Sequence, residues 1–256
     1  MRSQDPWCWC HNCWVRRRRR FAVAVIALLI AAAMLLHGHA QPHHIKPTPT
    51  PTTKPTHPQT VHRSPVQHPS TSLAAAAQNL TWVGFHSMQL PASATAGPRH
   101  TRSGLASGFA DTPQGALLAA INIGVRTAAL WGTAIFKPTI TRQVTGPDTA
   151  ALLREEETAY AQLRAAAKVR PGQPAGQGYA AETGYRFVAW SPAAATVDVV
   201  TAGPGANGTT VLASTRIQVL WLGGDWRVVA PPGGNWANTA TAMTSLSGYT
   251  LFPGER

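Results

Sequence analysis

From Phe21 to Leu36 every position is apolar, and the five residues before it, Arg16 to Arg20, are all arginine. Sixteen residues at about 1.5 Å each make a helix of roughly 24 Å. A bilayer core is about 30 Å thick and usually takes about 20 residues. His37, Gly38, His39 and Ala40 extend the segment to a workable length, so residues 21–40 read as one transmembrane helix. The arginines hold their end in the cytoplasm, with Trp7, Trp9 and Trp14 beside them at the interface. The expected topology is a single pass through the cell membrane, N-terminus cytoplasmic and the rest extracellular. The same pattern also fits a cleaved export signal, with Gly38-His39-Ala40 at the cleavage site and Arg18-Arg19-Arg20-Phe21 as a partial twin-arginine signal. Both readings export the remainder. No cysteine follows the apolar run, which argues against a lipoprotein.

Beyond Leu80 the patterning is that of a folded domain. Leu80 to Phe85 reads as a short strand or an ordered lead-in, and the Ala, Gly, Ser and Pro-rich stretch from Leu90 to Gly108 as a loop. Thr112 followed by Pro113 is a helix start, with a hydroxyl N-cap and proline at the first helical position. Leu117, Ile121, Gly124, Val125 and Ala128 recur at helical spacing and predict one buried face on a helix reaching about Leu130. A second helix is predicted from an Asp148 N-cap to about Lys168, with Leu152, Leu153, Tyr160, Leu163 and Ala167 as its apolar stripe. After Pro171 the period changes to two. Tyr185–Trp190, Thr196–Thr201, Val211–Leu222 and Trp226–Ala230 read as strands, the last two joined by a tight turn at Gly223-Gly224-Asp225. One of Trp221 and Trp226 is expected in the core, against the small residues Gly124 and Ala128, with Arg227 facing out. Residues 231–256 read as an irregular tail.

Between anchor and domain, residues 41–72 hold eight prolines among threonines and histidines. Proline at that density excludes helix and sheet. The segment reads as a stiff spacer of about 3.1 Å per residue, roughly 100 Å when extended. The divisions expected are a Cys/Trp/Arg-rich cytoplasmic tail at 1–20, the transmembrane helix at 21–40, a linker at 41–79 and an α+β domain at 80–256.

The net charge of +12 invites a nucleic-acid reading, but its placement does not support one. Residues 1–40 carry +5, residues 41–79 carry +3, and the domain +4 spread over 13 basic and nine acidic residues. The excess is mainly a topology signal, and no specific nucleic-acid partner is expected without a clustered basic face. All three cysteines, Cys8, Cys10 and Cys13, precede the apolar run. The exported part therefore has no disulfide and depends on its own core, for which about 175 residues suffice.

Candidate chemistry is sparse. Cys8, Cys10, His11 and Cys13 are crowded into six residues, whereas closed zinc sites combine separated ligand pairs. A short reduced tail is the plainer reading, and metal binding there would need a second chain. Glu155, Glu156 and Glu157 diverge by about 100° per residue on a helix and cannot converge on one ion. They read as a solvated face. Gly203-x-Gly205-x-x-Gly208 matches a dinucleotide fingerprint, but a strand-like segment follows it where the mechanism needs a helix. It reads as a hairpin loop. His86 and His100 are the domain's histidines, and Glu182, Asp198 and Asp225 are acids that nothing pairs with them. No catalytic, cofactor-binding or metal residue is expected, and no cofactor.

Two helices followed by four antiparallel strands ending Val219-Leu220-Trp221-Leu222-Gly223-Gly224-Asp225-Trp226-Arg227-Val228 resemble the curved α+β cone of nuclear transport factor 2-like domains. Residues 80–252 resemble, more narrowly, a domain of actinobacterial membrane proteins of unknown function and integrative conjugative elements. The residues that carry this are Trp82, Leu90-Pro91, Gly97-Pro98, the run Gly108 to Ala116, Trp221, Gly224 to Arg227, and Leu246-Ser247-Gly248-Tyr249. The order of anchor, linker and cone is similar to the bitopic scaffold subunits of Gram-positive type IV secretion. The resemblance implies helices packed on a curved antiparallel sheet of about four strands. It also implies a non-enzymatic, membrane-anchored assembly subunit of a conjugation-type translocation apparatus, contacting the bilayer through residues 21–40, other secretion-apparatus proteins, and in some arrangements a second copy of itself. An exported cone-fold enzyme or ligand-binding protein is the alternative.

Overall fold

A computed structural model describes residues 73–253. The expected tail at 1–20, span at 21–40 and most of the linker at 41–79 lie outside the described residues.

The domain is built around one helix, α1, Pro113–Arg126. Thr112 caps it as expected, its hydroxyl accepting from the Gly115 amide at 3.1 Å. Gly115 is required here, because a Cβ would lie 2.0 Å from the Ala110 carbonyl oxygen. Every residue from Gly115 to Ile123 is buried, so α1 is enclosed on all sides where a single stripe was expected. It ends at Arg126, and Ala129–Trp131 form a separate 3-10 turn.

On one side α1 meets an antiparallel hairpin of β1, Thr81–Phe85, and β2, Met88–Ala92. Met88, Leu90 and Pro91 are its buried residues. The hairpin's tip is pinned by Ser87, whose hydroxyl donates to the Gly178 carbonyl at 3.0 Å and accepts from the Gly178 amide at 2.8 Å. On the other side lies a sheet of seven strands. Two further helices, α2 (Thr133–Gln143) and α3 (Thr149–Ala167), close the end of the core. Asp148 stands at the α3 N-cap position without making a side-chain cap bond.

The sheet runs β3-β7-β6-β5-β4-β9, with β8 also on β6. Its strands are β3 Val144–Thr145, β4 Ala181–Ser191, β5 Ala194–Pro204, β6 Thr210–Leu222, β7 Asp225–Val229, β8 Ala240–Met243 and β9 Thr250–Leu251. The two strands β4 and β5 pair along nearly their whole length, and Gly203 to Gly208 lies at the β5–β6 hairpin, the loop its sequence predicts. Val197, Val199, Ile217, Val219, Trp226 and Val228 supply the sheet's buried face.

The expected curved antiparallel sheet of about four strands is corrected by this topology. There are seven strands, and the sheet is mixed because β3 runs parallel to β7. A separate two-stranded sheet stands beside it. The four long alternating strands are those the period of two picks out; β3, β8 and β9 are two to four residues long, too short to alternate. They exist because of their partners. β7 pairs with β6 only at Val219–Leu222, which leaves the other half of that edge open. The tail fills it, with β8 on Leu212–Thr215. Residues 231–253 are thus partly sheet. The helix α2 escaped the sequence reading because Gly132 precedes it and Pro138 interrupts it. Among the described residues no helix is long and apolar enough to cross a membrane, and the span expected at residues 21–40 is not among them.

Candidate functional site

The C-terminal turn of α1 delivers Arg126 into the core, where it is 5% exposed. Its Nη1 donates to the Asn122 carbonyl at 2.8 Å and to Asn122 Oδ1 at 2.9 Å. Asn122 is itself buried and fixed, its amide donating to the Pro91 and Leu118 carbonyls. The guanidinium carbon lies 4.3 Å from the centre of the Phe85 ring. Among the described residues no carboxylate lies within ion-pairing distance of Arg126, and Nε and Nη2 have no protein acceptor. Burial lowers its pKa to about 10, so the charge persists at neutral pH. Burying a charge is costly unless something pairs with it. The negative end of the α1 dipole offsets part of the cost, but it does not occupy the remaining donors.

Those donors border a cavity of about 370 Å³. The β1–β2 hairpin forms one wall, through Val83, Phe85, His86 and Leu90; the loop before α1 adds Pro98, Thr101 and Leu105, and α2 adds Ile135. At the mouth, His86 adopts a left-handed backbone conformation (φ 52°) in the two-residue hairpin turn, a region where histidine is enriched among non-glycine residues. Its ring stacks on Trp131 at 5.1 Å, and Phe85 meets both rings edge-on at 4.7 and 5.2 Å. The Trp131 indole donates to the Val125 carbonyl at 2.7 Å, so the aromatic wall is held to α1. Partial burial, and then the Arg126 charge, push the His86 pKa down.

A second charged cluster lies across the sheet. Arg186, Asp198 and Arg216 face one another in register on β4, β5 and β6. Asp198 is 3% exposed. Arg186 reaches it at 2.7 Å and Arg216 at 2.7 and 3.1 Å. Burial works to raise the Asp198 pKa; the hydrogen bonds and charges of the two arginines outweigh it and hold the carboxyl below its usual range. Tyr249 packs against Arg186 at 4.6 Å and donates to Ser214 at 3.1 Å. Here the buried carboxylate is paired twice and the excess positive charge lies on two half-exposed arginines, whereas Arg126 is buried.

The residues weighed on the sequence are scattered. Asp198 is in that row, and Asp225 holds a turn by accepting from the Gly108, Phe109 and Trp226 amides at 2.8, 3.1 and 2.9 Å. Glu182 is buried in β4. His100 pairs with Ser107 in an isolated bridge. The glutamate reading needs a correction at one position: Glu156 turns inward and accepts from the Ala129 amide at 2.6 Å. Among the described residues no three His, Cys, Asp or Glu side chains are grouped as metal ligands; Cys8, Cys10 and Cys13 lie outside them. The structure brings His86 to Arg126, a pair the sequence reading missed. The one available signal was Asn122-x-x-x-Arg126, two polar residues one helical turn apart in an otherwise apolar run.

Fold and cavity define an α+β domain in which a central helix carries a buried cation to a pocket under a hairpin. Residues 43–251 match the family described as Domain of unknown function (DUF8175), and the chain belongs to that family. No curated protein and no solved structure matches it.

Proposed function

We propose that this chain is a single-pass, membrane-anchored binding subunit whose domain captures an anionic ligand outside the cell membrane. The observation that carries the ligand-binding part is Arg126: a buried guanidinium with two nitrogens unbonded, no carboxylate partner among the described residues, and a cavity in front of it. The anchoring part is supported by the arginine-flanked apolar run at residues 21–40 and the proline-rich spacer after it. The reading is non-enzymatic: Arg126 and His86 bind and orient the ligand.

The test is anion-dependent stabilisation of the full chain in detergent at low salt. Anything that binds only the folded state raises its apparent stability by mass action. Arg126→Met removes the charge at similar length and leaves the buried Asn122 Oδ1 without its donor, so it is expected to cost about 1–3 kcal/mol of ligand-free stability; the anion-dependent increment is therefore compared within each protein. The wild type should gain stability from anions and the variant should not. Equal response of the two proteins rules the cavity out.

An assembly role in a conjugation-type translocation apparatus is the second reading. It is favoured by the order of anchor, spacer and domain. Its test is affinity capture of the full chain from membranes with mass spectrometry. Recovery of the same secretion-apparatus proteins by wild type and by Arg126→Met would favour assembly over ligand capture.

A further inference from the structure

We propose that the Arg126 cavity takes a small monocarboxylate carried on an apolar or aromatic body. This rests on the ligand-binding reading above and names its ligand class.

The donor geometry comes first. With Nη1 spent on Asn122, the nitrogens left are Nε and Nη2. These share one edge of the guanidinium and present parallel N–H bonds, the fork that a carboxylate accepts with both oxygens. Phe85 lies over the guanidinium at 4.3 Å and covers one face, so the Nε–Nη2 edge is where the free N–H groups meet a ligand.

Charge selects among anions. Arg126 is the fixed positive charge on the cavity wall, and His86, the other titratable group there, has its pKa pushed down. One cation matches one negative charge. The negative end of α1 points at the same place and would oppose a dianion more than a monoanion. Inorganic phosphate near neutral pH is therefore the poorer fit.

The walls select the body. Phe85, Leu90, Pro98, Leu105 and Ile135 are apolar, with Thr101 a further hydrogen-bonding group. A cavity of about 370 Å³ is near the lower end of ligand pockets, roughly 300–1,000 Å³. It suits a single ring or short chain.

Isothermal titration of the full chain in detergent, at low salt and pH 7, tests this. The probes are benzoate, 3-phenylpropionate, acetate, benzamide and inorganic phosphate. An aryl carboxylate should bind at least tenfold more tightly than benzamide, its uncharged counterpart, and than phosphate. Arg126→Gln should reduce that affinity at least tenfold. Leu105→Trp keeps the cation and narrows a partly exposed wall; it should weaken 3-phenylpropionate more than acetate. Arg126-dependent binding of phosphate in preference to every carboxylate would overturn the ligand class while leaving the anion site standing. Benzamide binding as well as benzoate overturns the carboxylate assignment. Binding of no anion at all removes both this inference and the reading beneath it.

Discussion

Glu156 shows how little a side chain's type says about its setting. It sits between Glu155 and Glu157 in a run that reads as solvated, yet it turns inward to cap the Ala129–Trp131 turn. Burial raises its pKa from 4.5 to about 7; the Ala129 amide opposes the shift and the Glu155 charge adds to it. A carboxyl whose folded pKa is raised stabilises the fold fully below its unfolded value. That contribution is lost as pH climbs through the folded one. Stability should therefore fall between about pH 4.5 and 7, by at most about 3.5 kcal/mol at about 1.4 kcal/mol per unit, and less for a side chain that is not wholly buried. Glu156→Gln keeps an acceptor for the Ala129 amide without the charge. It should flatten that slope and raise stability at pH 7.5, as urea melts of the full chain at both pH values would record. An unchanged slope would mean that Glu156 is not the group responsible. Arg126 is a second residue whose meaning lies in its neighbours, since its type alone suggests only a helix terminus.

At the scale of elements, the hairpin β6–β7 is locked to the entry of α1. Asp225 accepts from the Gly108 and Phe109 amides, and the Trp226 indole donates to the Ala110 carbonyl at 2.9 Å. Trp226 is 1% exposed, lies opposite Trp221 in register with ring centres 5.3 Å apart, and meets Trp190 at 5.7 Å. Trp226→Ala should cost about 3–5 kcal/mol. Asp225→Ala removes a charged acceptor from three amides and should cost about 1.5–3 kcal/mol, while Arg227→Ala, only partly buried, should stay within about 0.5. Urea melts followed by near-ultraviolet circular dichroism separate these. A Trp226→Ala loss under about 1 kcal/mol would remove the hairpin from the core. The insertion of one tryptophan was legible from Gly223-Gly224-Asp225 and the alternation around it. Its destination was not: Gly124 faces Ile217, and the ring goes to Ala110 and Trp190. Local period marks strands and helices that carry their own pattern, such as β5, β6 and α3. It is silent on elements made by a partner's free edge, such as β8, and on contacts between Gly108 and Asp225, which are far apart in sequence. The cavity belongs to that second kind, since hairpin, loop, α1 and α2 each contribute a wall.

At the scale of the whole molecule, the charge and cysteine distributions make the proposed topology testable. The five arginines of Arg16–Arg20 sit on one side of the apolar run, with Cys8, Cys10 and Cys13 on the same side. The domain has no thiol of its own, so any cysteine placed there reports without background. If residues 21–40 anchor the chain with its N-terminus inside, an impermeant thiol reagent should leave the native cysteines of intact cells unlabelled until the membrane is breached. Thr52→Cys, in the spacer, and Thr209→Cys, exposed at the β5–β6 hairpin, should both react in sealed cells. Labelling of the native cysteines before lysis would reverse the orientation, and protection of Thr209→Cys would put the domain inside. A cleaved export signal gives a third, separate result: a mature chain beginning at Gln41 and lacking all three native cysteines, read directly from its intact mass. The outcome bears on the cavity as well. If the domain is outside, its cavity meets only ligands present beyond the membrane, and Arg126 would then sample extracellular anions and not the cytoplasmic pool.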